Sequence, residues 1–270
     1  MHDPLAFYKI MNYPIPQPSH YFYYKQKQIN KKTINTYHKQ PDTDAMNKKI
    51  AIIQKYDRLR KHLPYIKHIY LCDSISFQAA HPGSDIDLFF ITKHGCLWRA
   101  RLASVIILWL LWIKRTLQKK TSLFDPIFYV DEKYTNIQTI RLKPDDIYLS
   151  HRLAHLIPLY QSTKYNIYKD NQRLQKELPN FPMQHTAQIK IPIQQWSSIW
   201  KKFREKLQGT MADNFWEQLR RQTRKPLVIR KQNRRNDSEK WVIINNNILK
   251  FHKDKRWEIQ NKRNRKISTK

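Results

Sequence analysis

Apolar residues recur on two different periods up to about residue 180. In "DTDAMNKKIAIIQKYDRLRKHLPYI", Ile50, Ile53, Tyr56 and Leu59 return every three to four positions, behind cap-type residues and ahead of Pro64. That spacing predicts an amphipathic helix. The runs "IKHIYLCD", "DIDLFFIT" and "SLFDPIFYV" are short and rich in β-branched and aromatic residues, and each reads as a strand. A fourth strand is expected at "NIQTIRL". Between the second and third lies a Trp-rich apolar helix from about Leu97 to Leu117. "PDDIYLSHRLAHLIPLY" carries Pro144 at a first-turn position with acidic residues beside it, which marks a helix start. Pro158 is expected to kink or end that helix. "NQRLQKELPNF" predicts another, stopped at Pro179.

From about Gln188 the pattern becomes helical again, in "QQWSSIWKKFREKLQ" and "MADNFWEQLRRQTRK". The last thirty-odd residues are polar and basic. At the other end, Pro14, Pro16 and Pro18 precede an aromatic cluster and a basic run, the pattern of an extended arm. No repeat is visible. The expected class is α+β: a small mixed β-sheet with flanking helices, then a helical region and a basic tail. Boundaries follow as an arm at 1–47, a core domain at 48–180, a helical region at 181–230 and the tail at 231–270.

Charge sharpens the division. The 270 residues carry a formal net charge of +30, and the flanks hold most of it. Residues 1–68 have 13 Lys/Arg against 4 Asp/Glu, and residues 218–270 have 18 against 4. Such flanks favour phosphate polymers, RNA among them, or anionic membrane surfaces, by sequence-independent attraction.

Other features narrow the choice. With only three Gly, neither G-x-G-x-x-G nor a P-loop is present. Two cysteines, Cys72 and Cys96, exclude a disulfide framework and an all-cysteine zinc site. The run "LASVIILWLLWI", Leu102 to Ile113, is too short to span a bilayer, which takes about 20 residues, and reads as a buried core helix. No transmembrane segment is expected, and no secretory leader pattern opens the chain, so the cytoplasm is the expected setting.

The chemistry concentrates at "LCDSISFQAAHPGSDIDLFFIT", Leu71 to Thr92. Residues i and i+2 of a strand share a face, so Asp85 and Asp87 bring two carboxylates about 6–7 Å apart at Cα. Two such anions repel unless a cation lies between them, and a hard divalent ion such as Mg²⁺ meets that need. Upstream, Ser74 stands where a helix over "ISFQAA" is expected to begin, and helix starts attract phosphate. A phosphate seat beside a metal seat suits nucleotidyl transfer.

These residues resemble the signature of the polymerase β-type nucleotidyltransferases, a hydrophobic residue, Gly and Gly or Ser, followed by D-h-D-h. Within that superfamily the chain is similar to an uncharacterised bacterial group of stand-alone nucleotidyltransferase-domain proteins. The matching pieces are "LPYIKHIYLCDSISF", "SDIDLFFIT", "CLWRARLASVIILWLLWIKR", "DIYLSHRLAHLIPLY" and "NQRLQKELPN", with "LAFYKIMNYPIP" a weaker echo. The resemblance makes 48–180 a nucleotidyltransferase-like domain. It implies that Asp85 and Asp87 bind Mg²⁺ (or Mn²⁺), that Ser74 and Ser84 bind the nucleotide, and that Asp125 is the third carboxylate. An NTP is then the substrate, and a hydroxyl of some acceptor receives the nucleoside monophosphate.

Two positions depart from the pattern. Asp73 replaces the glycine before the serine, and Asp125 precedes Pro126, which confines a strand to an edge or a start. Asp131 and Glu132 are the substitutes for Asp125. Because of Asp73, an alternative reading is a catalytically impaired fold acting as a nucleic-acid-binding or antitoxin-like protein. Among other candidates, His151 and His155 read as partly exposed helix residues, and Trp98, Trp109 and Trp112 as core. Lys119 and Lys120 read as a solvated pair. Arg99 and Arg101 are candidates to reach the active edge.

Overall fold

A computed structural model describes residues 6–14, 40–56, 63–111, 123–142, 146–161, 167–178, 243–250 and five residues between 215 and 222. Among the described residues the protein is mixed α/β and carries a six-stranded sheet. Its strands are β1 (Ile66–Leu71), β2 (Ile86–Thr92), β3 (Phe124–Asp131), β4 (Ile157–Gln161), β5 (Ile243–Ile244) and β6 (Ile248–Lys250), in the spatial order β4-β1-β2-β3-β6-β5. β2 and β3 run parallel and every other pair is antiparallel.

All seven residues of β2 are buried, which explains why its sequence is apolar on both faces after its acidic opening. Alternate residues enter two cores. Tyr70, Phe89, Ile91, Phe128 and Val130 face one side, packed with residues of α1 (Ala6–Met11) and α4 (Ile147–Ala154). Ile69, Leu71, Leu88, Phe90 and Tyr129 face the other, with residues of α2 (Thr43–Lys55) and α3 (Leu97–Leu110). Each large apolar side chain so enclosed contributes roughly 1.5–3 kcal/mol. Two short helices, α5 (Ile167–Asp170) and α6 (Arg173–Glu177), add Ile167 and Leu174 to the first core.

Local chemistry sets the boundaries. Asp42 caps α2, its side chain accepting from the Ala45 N–H at 2.9 Å. Asp146 caps α4 in the same way through the Leu149 N–H. The helix stops at Ala154, ahead of Pro158, and the chain then becomes a strand. Pro158 stands in "IPLYQ", β4, at one edge of the sheet as described, where a missing N–H is tolerated.

Several expectations are corrected. "NIQTIRL" is not a strand: Asn136 caps a 3-10 turn over Ile137–Ile140, its side chain accepting from the Gln138 N–H. "ISFQAA" forms a chain of turns rather than a helix, since Asp73 and Gln78 both take left-handed backbone angles. The segment expected as a basic tail contributes β5 and β6, a hairpin that adds to β3. Asn245 closes it by accepting from the N–H groups of Asn247 and Ile248. Trp98 is core, but Trp109 is 59% exposed. His151 and His155 are buried rather than partly exposed. Trp112, Lys119, Lys120, the basic run after Pro18 and the "QQWSSIWKKFREKLQ" segment lie outside the described residues.

Candidate active site

The site forms where β1 ends and β2 begins. After Leu71 and Cys72 the chain turns sharply at Asp73, with φ 54°. The turn is held by the Phe77 N–H to the Asp73 carbonyl (3.1 Å), the Ala79 N–H to the Ser74 carbonyl (2.7 Å) and the Ser76 hydroxyl to the Asp73 carbonyl (2.9 Å). A left-handed φ favours glycine, and Asp is among the residues that adopt it at modest cost.

Asp73 is not an open charge beside the site. Its Oδ2 accepts from Arg152 Nη2 at 2.7 Å, and its Oδ1 from the Tyr148 hydroxyl at 3.2 Å. Arg152 is fully buried, with its guanidinium over the rings of Phe128 and Tyr148. α4 therefore delivers a cation from beneath to the residue that replaces the pattern's glycine.

Asp87, the second residue of β2, is buried, and its Cα partner across the parallel ladder is Asp125. Paired residues of a ladder project to the same face, so those two carboxylates are neighbours. Asp85 lies just before the strand and is half-buried. Burial pushes the Asp87 carboxyl well above the usual range. The charges of Asp73 and Asp125 push it further up, Arg152 opposes them, and Asp85 adds to the rise. Four carboxylates thus share one low-dielectric corner with one arginine.

Pro126 is accommodated in β3, and Asp125 stays in register with Asp87, although it is not among the described residues that line the pocket over this corner. β6 pairs only with Phe128, Tyr129 and Val130, so β3 has no neighbour on that side at Pro126 among the described residues. Among the described residues the strand is locally an edge there, where a proline is tolerated. Asp131 and Glu132 are excluded as substitutes. They sit at the far end of β3, about 20 Å along the strand from Asp125. There Asp131 accepts from the Gly95 and Lys133 N–H groups, and Glu132 from the His94 N–H.

A pocket of about 660 Å³ opens over this corner, lined by Asp73, Ser74, Ser84, Asp85, Asp87 and Tyr148 among others. Ser74 is half-buried. The Ser84 hydroxyl closes its own turn, accepting from the His81 N–H at 2.9 Å. Lys49, buried on α2, donates to the Pro82 and Ser84 carbonyls and fixes the loop that presents Asp85. Burial lowers the Lys49 pKa, against the raising effect of Asp85.

The opposite wall comes from the N-terminal segment, which sequence reasoning read as an arm. Met11, Asn12, Tyr13 and Pro14 line the pocket, and Tyr13 stacks on Phe77 with ring centroids 5.1 Å apart. Burial, then Asp73 and Asp87, push the Tyr13 phenol up. The aromatic residues of "LAFYKIMNYPIP" were the available signal, since Phe7 and Tyr8 are anchors that carry Tyr13 to the site.

Arg99 does not reach this corner. It packs on the Tyr65 ring and pairs with Glu217 at 3.3 Å, near Gly95 at the other end of β2. Arg101 lies over the Trp98 ring. His151 is stacked on Phe7 at 4.4 Å, and burial and then His155 lower its pKa.

Among the described residues, no group of three or more His, Cys, Asp or Glu side chains is set to hold a metal ion by itself. The donors do fit a hard cation seated on two carboxylates and completed by substrate phosphates, the usual manner for Mg²⁺. No protein-family model, curated protein or solved structure matches the chain.

Proposed function

We propose that this chain is a metal-dependent nucleotidyltransferase of the polymerase β type, which moves a nucleoside monophosphate from an NTP to an acceptor hydroxyl. The observation that carries the reading is the pair Asp85 and buried Asp87, which both line a pocket of about 660 Å³, with Asp125 beside Asp87 on the ladder. That volume falls within the usual range for small-ligand sites.

Asp85 and Asp87 are the residues that would hold Mg²⁺ or Mn²⁺, with Asp125 beside Asp87 on the ladder. A bound divalent ion would offset their mutual repulsion, neutralise the triphosphate and ready the acceptor hydroxyl. Ser74 would meet the phosphates from the turn after β1. Asp125, half-buried and next to Asp87, would take the acceptor's proton as the α-phosphorus is attacked and pyrophosphate leaves. The change from glycine to Asp73 weighs less against catalysis than its charge suggests. Asp73 keeps the left-handed backbone that glycine favours, and its carboxylate is engaged by Arg152 and Tyr148.

The test is label transfer. Purified protein is incubated with labelled ATP, GTP, CTP or UTP, Mg²⁺ or Mn²⁺, and total RNA. Transfer is expected, and Asp87→Ala should reduce it about 100-fold or more. Absence of transfer, or equal transfer by the variant, overturns the reading.

The +30 charge favours a second reading, a nucleic-acid-binding protein that works through its flanks. Affinity for RNA that falls steeply with salt and is lost on removing residues 218–270, with no label transferred, would select it.

A further inference from the structure

We infer that His81 is the seat for the outer phosphates of the incoming NTP, donating to them from Nε2, and that the pocket thereby selects a triphosphate over a monophosphate. This rests on the nucleotidyl-transfer reading and adds to it a residue outside the paired carboxylates and the serines. His81 lines the pocket with Ser74, Asp85 and Asp87, on the loop that leads from the turns after β1 to the start of β2.

Charge shows why such a seat is needed. The described residues that line the pocket include Asp42, Asp73, Asp85 and Asp87, and none of them is Lys or Arg. A triphosphate entering so acidic a pocket is repelled wherever it meets neither a cation nor a donor. A divalent ion on Asp85 and Asp87 would serve the phosphates near the point of attack. The outer phosphates still need donors, and His81 is the basic side chain that the described lining offers.

The ring is held in one orientation. The Gly83 N–H donates to His81 Nδ1 at 3.2 Å. A ring nitrogen that accepts carries no proton, so the neutral ring bears its proton on Nε2, which is then a donor. Glycine at 83 is what admits the ring: a Cβ there would stand 3.2 Å from Cε1 and 3.3 Å from Nδ1. The backbone beneath is fixed as well. The His81 N–H donates to Ser84 Oγ at 2.9 Å, and the Ser84 N–H returns to the His81 carbonyl at 2.9 Å. Buried Lys49 holds the carbonyls of Pro82 and Ser84. The anchoring that presents Asp85 therefore also presents an exposed donor of fixed tautomer at the pocket.

The experiment is calorimetric titration of the full chain, with Mg²⁺ present, by ATP, AMP and inorganic tripolyphosphate. ATP and tripolyphosphate are expected to bind the wild type. His81→Ala should weaken both about tenfold or more, since a hydrogen bond to a charged group is lost. AMP should bind the two proteins alike. His81→Gln, which keeps an N–H donor, should recover part of the loss, and melting curves should not change because the side chain is exposed. The proposal is overturned if tripolyphosphate does not bind the wild type, if His81→Ala binds ATP as the wild type does, or if AMP is weakened as much as ATP. Tripolyphosphate held only by the basic flanks, with affinity unchanged in His81→Ala, overturns it too. Label transfer to RNA separates the two readings. Transfer with ATP affinity unchanged in His81→Ala sinks the phosphate seat alone, and no transfer with a His81-dependent triphosphate site sinks the transferase alone.

Discussion

Arg152 Nη2 lies 2.7 Å from Asp73 Oδ2, and both side chains are buried. A helix far along the chain thus neutralises the residue that turns the backbone between β1 and the pocket. Removing one partner leaves the other as a buried, unpaired charge, which costs about 3–5 kcal/mol. Arg152→Met should therefore lower stability by that amount in urea melts at pH 7. Combining it with Asp73→Asn should recover a sizeable part, and a strictly additive double variant would show that the two side chains do not depend on one another.

Asp87 gives a pH signature. Its folded pKa is raised above the unfolded value, so the folded state holds on to its proton longer than the unfolded state does. Stability from this group is then present below the unfolded pKa and is lost as pH rises through the folded pKa. Asp87→Asn should stabilise the protein at about pH 7–8, with the gain shrinking toward about pH 4. Thermal melts across that range check it. Millimolar Mg²⁺ should raise the melting temperature of the wild type and leave that of Asp87→Asn unchanged.

His151 should act in the opposite sense. Its pKa is lowered by burial and by His155, so it stays neutral in the fold while the unfolded chain protonates. Stability is lost as pH falls below about 6.5, by up to roughly 1.4 kcal/mol per pH unit. His151→Phe should flatten that acid limb, preserving the stack with Phe7. Melts at about pH 5 and pH 7 for both proteins decide the matter.

The hairpin near the C-terminus should behave as core. Leu249 in β6 is fully buried, and Leu249→Ala is expected to cost about 2–5 kcal/mol in denaturant unfolding. A change near zero would mean that β5 and β6 add nothing to the folded unit.

Much of this molecule was legible in its sequence. Hydrophobic runs located β1, β2 and β3, cap residues located α2, the acidic residues after Pro144 marked the start of α4, and the run "DIDLFFIT" put Asp85 and Asp87, both pocket-lining, at the opening of β2. Those readings depend on local rules: side-chain period, capping and proline geometry act within a few residues. Four things depended on contacts between distant segments. Arg152 came to lie under Asp73, 79 positions away, and the N-terminal aromatics folded over the pocket. Among the described residues β6 pairs with Phe128, Tyr129 and Val130 and not with Pro126, and Trp109, which the sequence pattern placed in the core, is more than half exposed. A pattern of residue types records what each segment prefers to bury, but not which partner arrives to bury it. That choice is made by the sheet order and by the packing of the helices upon it.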